Sequence, residues 1–485
     1  MAFLIGGANS LTAAYDVENS CRIETGTDVG VYYTPGENGA GAGKKFTFSC
    51  WVKRSILGAN SIMVAAGTDS GDDDDTCFRF TSADLLQLTN FAGGAATLYS
   101  TTTTAKFRDV SAWYHCVASV DTADGTEANR VKLYVNGEYI SGVTGDYPAQ
   151  NHVYKYCMQH MQVVGGRPDA DPNDGTIQCT GGYLAEVMMV DNQQLAASSF
   201  GETDGSGIWK PKNISGIDVG TNGFYLEFKQ TGTGTAGTTT IGADTSGETN
   251  HLTSLNLAAT DITTDTPTNN FATMNSLDNY YQGSTFSEGN CHIVTGSAST
   301  TYNTSTMGMT NGKWYAEATP LVGAATSQIG IISKMTVAAN ATMLSHAEGW
   351  GYEDDGDFWG AASQDSSYGD SYANNDIVGI AVDLTNNKLY FSKNGTWQNS
   401  GDPTSGATGT GAKSITDPAS TTAGAYFFCF NETWADNYRS WSWNFGNPIA
   451  ALSSGNADAN GYGNFEYAPP SGYYSLCTKN LAEFG

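Results

Sequence analysis

The chain is poor in basic residues. It carries 22 Lys and Arg against 49 Asp and Glu, a formal net charge of −27. Without a positive face it cannot neutralise phosphates, which argues against nucleic-acid binding. An anionic membrane surface would repel it for the same reason. It also lacks any apolar run of roughly 18 residues, the length a spanning helix needs. Residues 1–8 are apolar but short and carry no basic side chain, so they do not read as a secretory leader. Charged residues amount to only 15 %, yet 40 % hydrophobic and 12 % aromatic residues can build a large core, which excludes disorder. No Cys-x-x-Cys pair occurs. The nine cysteines are scattered through apolar contexts such as Phe427-Phe428-Cys429-Phe430. They read as buried free thiols rather than a disulfide framework or a zinc site, as in a protein assembled in a reducing cytoplasm. So acidic a surface repels itself in dilute buffer, which suits a salty environment or bound cations.

Helical periodicity is nearly absent. Short β-rich runs are broken by Gly, Asn, Asp, Ser and Thr, the pattern of a sandwich or barrel. Val131, Leu133 and Val135 alternate with Lys132 and Tyr134, and Asn136-Gly137 then turns the chain into Tyr139 and Ile140. Asn-Gly supplies the two positive-φ residues of a tight hairpin. The unit recurs where Leu389 and Phe391 alternate with Lys388 and Tyr390, before Asn394-Gly395 leads to Trp397. Each unit follows a similar strand, Trp113-Tyr-His-Cys-Val-Ala-Ser-Val-Asp121 and Asp376-Ile-Val-Gly-Ile-Ala-Val-Asp383. Two such copies predict two all-β domains of related architecture.

The two predicted sandwiches are residues 1–210 and 276–448, with a stretch of different composition between them. Residues 229–270 are dominated by Thr, Gly, Ala, Asn and Asp, so 211–275 is expected to be an extended connector pinned by anchors such as Leu252, Leu255, Leu257 and Phe271. Residues 449–485 carry Phe465, Tyr467, Tyr473 and Tyr474 and are expected to pack on the second sandwich.

Three resemblances sharpen this. Lys45-Phe-Thr-Phe-Ser-Cys-Trp-Val-Lys53, Trp113-Tyr-His-Cys-Val-Ala-Ser-Val120, Val131-Lys-Leu-Tyr-Val-Asn-Gly-Glu138 and Gly182-Tyr-Leu-Ala-Glu-Val-Met-Met-Val190 resemble the laminin-G-like, concanavalin A-like lectin family over residues 15–205. Gly312-Lys-Trp-Tyr-Ala-Glu317, Gln328-Ile-Gly-Ile-Ile332, Gly349-Trp-Gly-Tyr-Glu-Asp-Asp-Gly356, Leu389-Tyr-Phe-Ser-Lys-Asn-Gly395 and Trp443-Asn-Phe-Gly446 resemble a SPRY domain over roughly 276–448. The resemblance implies two concanavalin A-like jelly-roll sandwiches joined by an extended linker. Asp265-Thr-Pro-Thr-Asn-Asn-Phe271, Ala468-Pro-Pro-Ser-Gly-Tyr-Tyr-Ser-Leu-Cys-Thr-Lys-Asn480 and the pair Trp209-Lys-Pro211 with Asn222-Gly-Phe-Tyr-Leu-Glu-Phe228 are similar to segments of tailed-bacteriophage virion proteins, many of them marine. That likeness implies a phage structural protein.

Catalytic signatures are missing. The concanavalin-like fold hosts glycosidases, but their Glu-x-Asp-x-x-Glu spacing is absent. Glu353-Asp354-Asp355 comes nearest, with Phe358 where the third acid belongs. No Gly-x-Ser-x-Gly elbow or zinc-protease histidine spacing occurs. His115 lies in a strand and reads as structural.

Three acidic runs remain: Asp72–Asp75, residues 169–175, and Glu353 to Asp357. The best calcium candidate is Asp169, Asp171, Asn173 and Asp174. It falls short of an EF-hand loop because Gly175 comes one place late, Pro172 intrudes and the twelfth position is Thr180. A loop-rim calcium is common among laminin-G-like relatives. The bland alternative for all three runs is a solvated loop.

The best ligand candidate sets Trp350, Tyr352, Phe358 and Trp359 beside Asp354, Asp355 and Asp357, with Tyr368, Tyr372 and Trp397 from neighbouring loops. Aromatic faces and carboxylates are what a sugar site needs. The alternative is that Trp350 and Trp359 support the sandwich from within. The expected function is a non-catalytic virion protein at the tail or its fibres. It would be assembled in the host cytoplasm with other virion proteins, bind host surface glycan, and form a homo-oligomer, a trimer by preference. A head decoration or neck protein and a polysaccharide depolymerase are the alternatives.

Overall fold

The computed structural model describes residues 4–5, 15–24, 29–67, 75–92, 96–168, 180–279, 283–296, 301–323, 327–333, 343, 346–361, 363–432 and 439–485. The chain divides into two compact units. One is Thr12–Thr268; the other is Met1–Leu11 with Asn269–Gly485. Both are all-β.

The first unit packs two eight-stranded antiparallel sheets face to face. At the centre of one lies Lys45–Arg54, between Trp113–Asp121 and Gly182–Asp191. Its period-two alternation sends Phe46, Phe48, Cys50 and Val52 into the shared core. The opposite face, with Thr47, Ser49, Trp51 and Lys53, is buried as well. Two smaller clusters cover it: Phe200, Ile214, Val219 and Tyr225 against Met188 and Val190, and Val17 against Trp51, Trp113 and Tyr183. The second sheet runs through Leu85–Ala92, Thr76–Phe80, Ser61–Gly67 and Met161–Val164.

Residues 211–268 are not the extended connector that their composition predicts. Phe224–Leu226 pairs with Gly182–Asp191, Thr253–Leu255 with Gly30–Tyr33, and Ile262–Thr263 with Ser20–Ile23. Leu252 and Leu257 lie in the first core. Polar side chains bury here because each finds partners. Asp244 accepts from the backbone of Tyr225, Ser246 and Asn250. Asp265 meets the Lys53 ammonium at 2.7 Å and the Trp113 indole at 3.2 Å. Counting apolar residues cannot register burial of this kind.

The second unit packs a nine-stranded sheet on a six-stranded one. Lys313–Val322 lies between Ser440–Asn444 and Val378–Asp383 in the larger sheet. Ser327–Ile332 lies between Phe427–Glu432 and Gly349–Glu353 in the smaller. Trp314, Trp441 and Trp443 fill the space between them. The tail covers the far face of the nine-stranded sheet, where Phe465 and Tyr473 pack on Tyr315 and Tyr390. Buried Glu317 fastens it by accepting from the backbone N–H groups of Glu466 and Tyr467 at 3.0 and 2.8 Å. A short strand, Tyr474–Ser475, adds to Lys313–Val322 in parallel, and the helix Thr478–Phe484 ends the chain.

Candidate functional site

Gly349–Glu353 and Phe358–Gly360 form a hairpin in the six-stranded sheet. The Glu353 N–H donates to the Asp357 carbonyl at 2.8 Å, and Gly356 turns the chain at φ +99°, a conformation that favours glycine. Register decides which aromatics face outward. Tyr352 stands opposite Phe358, Gly351 opposite Trp359, and Trp350 opposite Gly360. Side chains alternate between faces, so Trp350, Tyr352 and Phe358 point into the core.

The expected ring of open aromatics is therefore corrected. Trp350 is 3 % exposed and packs on Tyr426. Tyr352 packs on Tyr368, Tyr372 and Phe391 with ring centroids 5.3–5.5 Å apart. Tyr372 donates its hydroxyl to the Ser327 carbonyl at 2.9 Å. Tyr368 accepts from the Phe391 N–H at 3.2 Å. These rings support the sandwich and offer no face to a ligand. The reason is area: burying large aromatics against each other outweighs exposing them.

Trp359 is different. It lies on the other face of the hairpin, is only partly buried, and donates its indole N–H to Glu353 Oε2 at 2.8 Å. The bond fixes the ring's orientation. Burial raises the Glu353 carboxyl above its ordinary value, and the indole bond works against that rise. Asp355 is exposed and accepts from the Asp357 N–H at 3.0 Å. Asp354 is half-buried. Asp357 is buried and receives the Gln364 amide. Trp397 belongs to the nine-stranded sheet, where it packs on Tyr390. Of the predicted set, the hairpin thus brings together Trp359, Asp354, Asp355 and Asp357, and it adds Glu353. The signal for Glu353 was in the sequence: once a turn is centred on Gly356, Glu353 and Trp359 share a face.

Two family models match the chain. Residues 26–192 match the concanavalin A-like lectin/glucanases superfamily, and residues 312–411 match the SPRY domain. The chain joins a concanavalin A-like domain to a SPRY domain. Among solved structures it is similar to the SPRY domain of human HERC1, at 13 % identity and a TM-score of 0.28, covering 35 % of this chain and 96 % of that one. It is also similar to the heptameric SAP-like pentraxin of Limulus polyphemus, at 15 % identity and a TM-score of 0.28, covering 38 % and 80 %. Stonustoxin matches at 14 % identity and a TM-score of 0.27, covering 36 % and 27 %. No curated protein matches the chain. The lectin-like and SPRY matches point to a binding or interaction role.

In the concanavalin A-like domain, His115 meets Ser49 Oγ at 2.9 Å through Nε2. The pair cannot act as nucleophile and base. The Trp209 indole donates to His115 Nδ1 at 3.1 Å, so the neutral ring carries its proton on Nε2 and donates to the serine. Burial lowers the imidazole pKa to about 3, which keeps it neutral. The calcium candidates Asp169, Asp171, Asn173 and Asp174 lie outside the described residues. Of the Asp72–Asp75 run only Asp75 is described, and it is buried against Arg167 at 2.5 Å. Among the described residues no three His, Cys, Asp or Glu side chains converge to hold a metal ion.

Proposed function

We propose that this chain is a non-catalytic binding protein of a tailed-phage virion, and that it grips host surface glycan at the Trp359 hairpin of its SPRY domain. The observation that carries the proposal is the half-open indole of Trp359, held in place by Glu353. An oriented aromatic face beside carboxylates supplies both halves of sugar recognition, a platform for C–H-rich ring surface and acceptors for hydroxyls. Asp354 and Asp355, in the turn itself, supply acceptors at its edge. The virion setting rests on the likeness of residues 265–271 and 468–480 to segments of phage virion proteins. One such site binds weakly, so a closed homo-oligomer, a trimer by preference, gains through avidity.

A second reading, a head decoration or neck protein, draws support from Leu321 and Val322. These adjacent apolar side chains are 36 % and 41 % exposed, and a neighbouring subunit would cover them. Two measurements separate the readings. Labelling or imaging locates the protein on the particle, and purified protein is tested on host envelope glycans. Trp359→Ala is expected to abolish binding while the protein stays folded. Trp350→Ala is expected to act only through stability. Unchanged glycan binding in folded Trp359→Ala removes the first reading.

A further inference from the structure

The charge around the Trp359 indole narrows the class of saccharide it can take. From His346 to Asn387 the chain has nine carboxylates and no lysine or arginine. The indole is bonded to one of them, Glu353, at 2.8 Å. Asp354 and Asp355 follow in the turn that joins its strand to its partner, and strands in a sheet lie only about 4.8 Å apart. The nearby cations are already committed. Lys413 pairs with Asp365 and lies over the Phe358 and Tyr368 rings, 5.0 Å from each centroid. Lys393 pairs with Asp376 at 3.3 Å and donates to the Ser371 carbonyl at 2.8 Å. An acidic group on a sugar seated here would meet several carboxylates and, among the described residues named above, only cations already paired. One like charge at 4 Å in water weakens binding by about sixfold, and the whole chain, at −27, adds to the repulsion.

We infer that the Trp359 site selects saccharides free of anionic groups, meaning neutral or amine-bearing sugars, and rejects sialylated, uronic and phosphorylated ones. The inference rests on the glycan reading above and refines it. The indole defines the site; the surrounding carboxylates set the sign of what it accepts.

A glycan array with neutral, amine-bearing and anionic saccharides tests it, probed with the full chain, with Trp359→Ala and with Asp354→Asn/Asp355→Asn. Binding that needs Trp359 is expected on neutral or amine-bearing saccharides only. The double variant is expected to raise binding to anionic analogues by about tenfold at low salt, with the gain shrinking at about 1 M salt, where the Debye length is about 3 Å. Trp359-dependent binding to anionic saccharides by the unaltered chain overturns the inference and leaves the glycan reading standing. Absence of any Trp359-dependent binding across the array overturns the glycan reading itself, and the inference with it.

Discussion

Glu186 occupies a bulge in Gly182–Asp191 at φ +51° and accepts hydroxyls from Tyr225 at 2.5 Å and Tyr15 at 3.1 Å. Burial pushes its carboxyl from 4.5 to about 7, against the pull of the two tyrosine bonds; Glu227 nearby adds to the rise and Lys229 opposes it. The folded state therefore holds this proton more tightly than the unfolded state. The resulting stabilisation is full below about pH 4.5 and is lost as pH rises through about 7. Glu186→Gln keeps an acceptor and removes the titration. The variant is expected to gain on the parent by roughly 3 kcal/mol across that window, read as diverging melting temperatures. Parallel pH profiles would refute it. Nothing in the sequence marked Glu186, because its partners stand 171 and 39 residues away. The cysteines were legible from their apolar contexts. All eight described are buried and free, and burial raises the thiols of Cys21, Cys50, Cys157 and Cys429 well above their usual value. A thiol reagent is expected to leave these eight unmodified in native protein and to label them in denaturant. Fast native labelling of more than one thiol would contradict this.

The two Asn-Gly hairpins show how far an element can be read in advance. Asn136 and Gly137 have φ +49° and +84°, and Asn394 and Gly395 have +47° and +79°. Both join strands whose pairing closes on two-residue loops, as that dipeptide predicts. What the turn packs against was not readable. A Cβ at Gly137 would stand 2.4 Å from the Trp209 ring, whereas one at Gly58, also at positive φ, would meet nothing within 4 Å. Gly137→Ala is expected to cost about 1–3 kcal/mol more than Gly58→Ala, measured by denaturant unfolding. Equal costs would mean that the Trp209 contact does not constrain the turn. The Gly349–Gly360 hairpin illustrates the limit. Trp350 and Trp359 are both tryptophans followed by glycine. Register alone puts one in the core and leaves the other partly open.

Across the whole molecule, composition set the charge but not where it lies. A net charge of −27 predicts self-repulsion that salt screens. The melting temperature is expected to climb with salt, most steeply below about 0.1 M, where the Debye length exceeds about 10 Å. A flat response would mean that local pairing has already offset the repulsion. Buried pairs such as Lys53 with Asp265 should contribute little to that climb, because solvent ions do not reach them. The same pair shows why residues 211–268 read as a connector. Asp265 is buried by a partner 212 residues earlier in the chain, which no local reading of composition can find.

The all-β class, two domains of related architecture, the hairpin turns and the buried state of the eight described cysteines were readable in the sequence, because these follow from local alternation, turn chemistry and composition; the concanavalin A-like kinship was readable only as a resemblance. Which aromatics stay open, and that a Thr- and Gly-rich stretch completes the first sandwich, were settled only in three dimensions. Each of these depends on which face a strand presents and which distant group meets it. A shift of one residue in pairing reverses every such assignment without changing a letter of the sequence.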